Sequence, residues 1–271
     1  ATGDINLVAK DQINILSGQD FSETIVTSKK RGLTTMANSL KLNQSTTQVS
    51  SDIKATNGSL SIASGNNINI LASNLDAASN VIIAAGRHVD GYGAVTTNLD
   101  ANVNILSANN KDYTHEKNSK TSLELNDVED IAKTVTLTVL ALNNGFMTAG
   151  AASAISYASA LKVSRKDKAS ESIKETVISS NITSINNGNI NISSGSDTAI
   201  LASNLKTTNS GDININVGDL IDGSGSIITN NNAKVIISGD SNKETSYSKN
   251  EAIEFAIDVD SNGFSYANYQ N

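Results

Sequence analysis

The stretch 57–75, NGSLSIASGNNINILASNL, returns 130 positions later as 187–205, NGNINISSGSDTAILASNL. Eleven of the nineteen positions are identical with no gap. A chain that repeats itself this closely uses one local structure more than once, which favours a stacked array over a single globule. A shorter period runs inside the repeat. Gly58, Asn80 and Asn102 precede the alternating pairs Leu60/Ile62, Val81/Ile83 and Val103/Ile105. Gly188, Gly211 and Ala233 precede Ile190/Ile192, Ile213/Ile215 and Val235/Ile237. The step is about 22 residues, and a second run follows eight residues on, as in Ile68/Ile70 or in Ile13/Ile15 after Ile5/Leu7.

Apolar–polar alternation over so few residues puts every second side chain on one face of a strand. The runs are too short to stand alone, and Gly, Asn or Asp punctuates each one. Three strands and three turns use roughly 20–24 residues at about 3.3 Å per strand residue. The period therefore predicts an all-β chain folded as a parallel (right-handed) β-helix, a solenoid of about 22-residue coils with extruded hairpin or helical extensions. Aromatics are 4% of the chain and Trp and Pro are absent, so the interior is expected to be thin and aliphatic. Asn recurs at Asn67, Asn69, Asn189, Asn191, Asn214 and Asn216. Two readings stand: hydrogen-bonded ladders, or tolerance of left-handed turns; neither is a ligand site.

Three stretches break the pattern. The expected organisation is coils over 1–27, a short extension over 28–51, coils over 52–112, a long extension over 113–180, coils over 181–245 and an extension from 246 to 271. The long extension carries no charge between Thr134 and Leu161, with Lys133 and Lys162 as brackets. Val135–Val139 alternates like a strand, Asn143-Asn144-Gly145 reads as a turn, and Ala149–Leu161 has the composition of a helix. By length it qualifies as a membrane candidate, but its Thr, Ser and Asn favour a cover packed along the coils. The chain opens and stops inside a repeat, which reads as a piece of something larger.

A formal charge of −7 leaves no broad basic field for nucleic acid. Cysteine is absent, which excludes a disulfide scaffold and thiolate chemistry. His88 and His115 are 27 residues apart and read as solvent-facing rather than as metal ligands. Glu124, Asp127, Glu129 and Asp130 suit the first turn of a helix. Gly91-Tyr92-Gly93 and Gly223-Ser224-Gly225 read as corners, not phosphate loops. Gly3-Asp4 and Gly211-Asp212 are isolated turns, not a calcium-binding array. No catalytic, cofactor-binding or metal-ligating residues are nominated, and no enzyme activity is expected.

The segment SGNNINILASNLDAASNVIIAAGRHVD (64–90) resembles the filamentous haemagglutinin repeats of two-partner-secretion exoproteins. ETIVTSKKRGL (23–33) is similar to the Lys/Ser-rich junction of the second class of these repeats, and YTHEKNSKTS (113–122) and TSYSKNEA (245–252) are weaker versions of it. The resemblance implies a secreted, cell-surface filament exported by a dedicated outer-membrane transporter. In adhesins such repeats hold binding regions away from the cell. In contact-dependent growth inhibition proteins the second repeat class is implicated in carrying a toxin across the target's outer membrane. The implied function is a non-catalytic repeat stalk that presents or helps deliver an effector. Implied partners are the transporter and, at the far end, a target-cell outer membrane or receptor. The alternatives are a membrane- or receptor-engaging role for 134–161 and a polysaccharide-active β-helix enzyme, although the coils lack the clustered Asp, Arg and aromatics of the latter.

Overall fold

The computed structural model describes residues 1–126, 160–260 and 263–270. Among them every regular element is a strand. In chain order these are β1 (Ile5–Ala9), β2 (Ile13–Leu16), β3 (Gly18–Arg31), β4 (Thr35–Val49), β5 (Asp52–Ala55), β6 (Leu60–Ser64), β7 (Ile68–Leu71), β8 (Asn74–Ala77), β9 (Val81–Ala85), β10 (Arg87–Val89), β11 (Val95–Thr97) and β12 (Val103–Leu106). Then follow β13 (Ala108–Asn126), β14 (Ala160–Ile178), β15 (Asn181–Ser184), β16 (Ile190–Ser194), β17 (Thr198–Leu201), β18 (Asn204–Thr207), β19 (Ile213–Val217), β20 (Asp219–Ile221), β21 (Ile227–Thr229), β22 (Val235–Ser238), β23 (Lys243–Asp260) and β24 (Gly263–Gln270). The chain divides into two compact units. The first is Ala1–Phe21, Thr46–Lys111 and Lys174–Lys243; the second is Ser22–Ser45, Asp112–Ile173 and Glu244–Asn271.

The first unit is built from three sheets of parallel strands, ordered β1-β6-β9-β16-β19, β2-β7-β12-β17-β22 and β5-β8-β15-β18. Each successive triplet of short strands gives one strand to each sheet, and equivalent residues lie in register. In the second sheet Ile13, Ile68, Val103, Thr198 and Val235 form one row, and Ile15, Ile70, Ile105, Ile200 and Ile237 another. The alternation reads directly as burial. Leu60, Ile62, Ile68, Ile70, Leu75, Val81, Ile83, Val103, Ile105, Ile182 and Ile190 have no exposed surface, while the residues between them are half-buried or exposed. Full burial of each such side chain contributes about 1.5–3 kcal/mol before chain entropy is subtracted.

One step of the sequence reading is corrected. Val103/Ile105 does not open a new triplet after Val81/Ile83. It pairs with Ile68/Ile70, and Val235/Ile237 likewise pairs with Thr198/Ile200 rather than with Ile213/Ile215. A hairpin intervenes in both places. β10 and β11 pair antiparallel between β9 and β12, and β20 and β21 do so between β19 and β22. The hairpin happens to be long enough to mimic one period.

Long strands make up most of the second unit, in the sheet β24-β23-β14-β13-β4-β3. Where the expected extensions are described, their regular elements are strands and not helices, and β3 already begins at Gly18. β3 and β4 are joined by a tight turn in which the Gly32 amide donates to the Thr35 carbonyl at 2.7 Å. Side-chain pairs fix antiparallel registers: Glu23 with Gln44, Ser45 with Asp112, Lys41 with Glu116, His115 with Glu171 and Ser122 with Ser164. The expected strand, Asn143-Asn144-Gly145 turn and helix of the uncharged segment lie outside the described residues, as do Asp127, Glu129 and Asp130.

Candidate functional site

Asparagines serve two structural ends. On the strands they form ladders: Asn104 donates to Asn69 and Asn69 to Asn14, each at 2.8 Å. A second ladder runs from Asn204 to Asn181 to Asn74, both at 2.9 Å, and ends on Asp52 at 2.6 Å. At turns, Asn186, Asn187 and Asn209 take left-handed φ of 53°, 62° and 61°. Of the six asparagines singled out in the sequence, Asn69 stands in the first ladder and Asn191 accepts from Asn214 at 3.0 Å. None of the six takes a left-handed φ; the left-handed asparagines are others.

The two histidines stand on different sheets and are half-buried, which corrects the solvent-facing expectation. His88 sits on β10 with a buried Nδ1 that has no hydrogen-bond partner among the described residues. His115 on β13 places Nδ1 3.1 Å from Glu171 Oε1, and the Tyr113 hydroxyl donates to the same oxygen at 3.4 Å. Burial pushes the Tyr113 phenol above its ordinary range, and the Glu171 charge adds to the shift. Glu124 lies on β13.

The glycine-rich corners are hairpin tips. At one, Asp90 Oδ1 accepts the amides of Ala94 at 2.8 Å and Tyr92 at 2.9 Å. At the other, Asp222 Oδ1 accepts the Ser224 hydroxyl at 2.7 Å and the amides of Ser224 and Ser226 at 2.8 and 2.9 Å. Gly93 and Gly225 close the tips with φ of 84° and 83°, a region that costs a side-chain-bearing residue. Gly3-Asp4 and Gly211-Asp212 are joints between triplets: the Ser59 amide donates to Asp4 Oδ1, and the Asp212 amide to Asn189 Oδ1, both at 2.7 Å. Among the described residues no His, Asp and Glu side chains gather in threes to hold a metal. No helix there is long and apolar enough to cross a membrane.

A concavity lined by several charged side chains lies on the second unit's sheet, a hollow of about 390 Å³. The registers above set two cross-strand rows on one face: Lys30, Ala37, Lys120 and Lys166, beside Ser28, Ser39, Asn118 and Lys168. Ala37 and Ser39 are short and half-buried, so β4 forms the floor, while the exposed lysines of β3, β13 and β14 rise around it. Sequence reading found the Lys/Ser-rich stretch 23–33, which holds Lys30, but not this cluster, because partners from four strands meet only once register is known.

Compared with protein-family models, with curated proteins and with solved structures, the chain matches none.

Proposed function

We propose that this chain is a non-catalytic stalk segment of a large bacterial surface exoprotein, its triplets being the coils of a right-handed parallel β-helix. In this reading the chain converts length into reach, and the parent protein, secreted through an outer-membrane transporter, uses it to present or deliver an effector to another cell. The supporting observation is the unbroken row from Ile13 through Ile68, Val103 and Thr198 to Val235. Such a row is what stacked coils require, and it can be lengthened without changing any single contact. The resemblance of 64–90 to filamentous haemagglutinin repeats supplies the biology.

Two measurements test it. Spin labels at Asn14 and Ile236, four strand steps apart, should report about 19 Å between backbones at ~4.8 Å per step. Antibodies raised against the chain should label intact cells of the source bacterium. Labelling that requires permeabilised cells would overturn the surface assignment.

A further inference from the structure

We propose that the lysine-lined hollow on the second unit's sheet binds a ligand carrying two or more clustered phosphate groups. The first argument is uncompensated charge. Lys120 and Lys166 face each other on neighbouring strands with Lys168 on the diagonal, an arrangement that destabilises a sheet unless something neutralises it. Among the described residues no carboxylate pairs with Lys30, Lys120, Lys166 or Lys168. On the same face Glu116 is engaged by Lys41 at 2.6 Å. Four ammonium groups without a carboxylate partner among the described residues gather here in a chain whose net charge is −7, against the trend of the whole molecule.

The second argument is shape. Ala37 and Ser39 leave room where longer side chains would have filled the face, and the volume of about 390 Å³ falls within the range of small-ligand sites. Lysine is a compact point charge suited to tetrahedral oxyanions, whereas planar bidentate carboxylate recognition calls for Arg, which the lining lacks. Lys30 lies two strand steps from Lys120, about 10 Å across the floor at ~4.8 Å per step. One phosphate cannot reach both. A ligand with several phosphates on a small frame can, whether free in solution or as the headgroup of a phosphorylated glycolipid.

The experiment titrates the full chain with inositol hexakisphosphate, inorganic phosphate, inositol hexasulfate and a single-stranded oligonucleotide. A separate arm floats it with phosphatidylcholine vesicles with and without diphosphoryl lipid A. The test variant is K120Q/K166Q/K168Q. The control, K10Q/K206Q/K234Q, makes the same charge change outside the hollow. Binding of hexakisphosphate or lipid A vesicles that weakens at least about tenfold, or ~1.4 kcal/mol, in the test variant but less than twofold in the control supports the site. The stronger arm identifies the source. Without ligand the test variant should melt no lower than the parent, since the repulsion is relieved, and hexakisphosphate should raise only the parent's and the control's melting temperature. Binding in neither arm, equal loss in both variants, equal affinity for the hexasulfate, or tighter binding of the oligonucleotide overturns it.

Discussion

Ser180 Oγ donates to the Leu106 carbonyl oxygen at 2.7 Å, 74 positions away in the chain. Ser73 makes the same bond to Leu71 at 2.8 Å only two positions away, as does Ser203 to Leu201. Ser51 makes it to Leu16 at 2.7 Å across 35 positions. One clasp thus closes each of the four triplets that give a strand to all three sheets, whether the chain there makes a tight turn or leaves in a long insertion. Where the turn is tight, Ala72 and Ala202 bend the backbone with a φ of 44°.

The clasp predicts unequal serines. Ser180 is fully buried and also lies 3.3 Å from the Ser73 amide, whereas Ser203 is partly exposed. Ser180→Ala should cost about 1–3 kcal/mol, the penalty for stranding buried polar groups. Ser203→Ala should cost under ~1 kcal/mol, since water can replace its bond. Urea unfolding of the two variants checks the order.

Close approach predicts a second contrast. A Cβ on Gly195 would run into the Asn98 carbonyl oxygen, while one on Gly239 meets open space. Gly195→Ala should destabilise by about 1–3 kcal/mol, as overpacking does, and Gly239→Ala should leave the melting temperature unchanged.

The Asn ladder of the second sheet stops at Ala199, which follows Asn104 in register. Ala199→Asn should extend it by one amide–amide bond and stabilise by about 0.5–1.5 kcal/mol. The reverse change, Asn69→Ala, breaks two bonds and should destabilise. Thermal melts of both variants read the sign.

Acid should open the hairpin tips first. Backbone amides, led by that of Ala94, hold the Asp90 carboxyl below its ordinary value, and the Ser224 hydroxyl followed by the Ser226 amide does so for Asp222. A depressed pKa means the ionised form is favoured by folding. Its contribution is therefore full above the unfolded value of about 3.9 and is lost as pH falls through the lower folded value. Amide exchange at Ala94 and Ser226 should accelerate below that point. Asp222→Ala should abolish the pH step at Ser226 and leave Ala94 as it was; an acid-insensitive Ser226 in the parent chain would contradict the assignment.

Which parts of this were legible beforehand follows from range. Ile68/Ile70 and Ile190/Ile192 announce buried positions because alternation is local. The hairpin at 87–97 was not legible, because Asp90-Gly91-Tyr92-Gly93 marks a turn without saying whether chain leaves the sheet there. Nor was the start of β3 at Gly18, since Phe21, Ile25 and Val26 have the composition of a core strand yet are 65%, 59% and 53% exposed. The lysine hollow depends on the alignment of four strands separated by up to 138 positions, from Lys30 to Lys168, and no local pattern encodes that.

Strand counting yields the last prediction. Insertions follow β2, β12 and β22, whereas the triplets β6–β7–β8 and β16–β17–β18 have none. Excising 58–187 removes one plain and one inserted triplet together and joins Asn57 to Gly188, the equivalent of Gly58 in the repeat. β1 then meets β16, whose Ile190 stands in the same row as Leu60 and Val81, so each parallel sheet loses two strands and keeps the register of the rest. Because equivalent triplets present the same rows of Ile, Val and Leu to their neighbours, that variant should keep a cooperative melt and an all-β circular dichroism spectrum. A broad, non-cooperative melt would show that the triplets are not interchangeable.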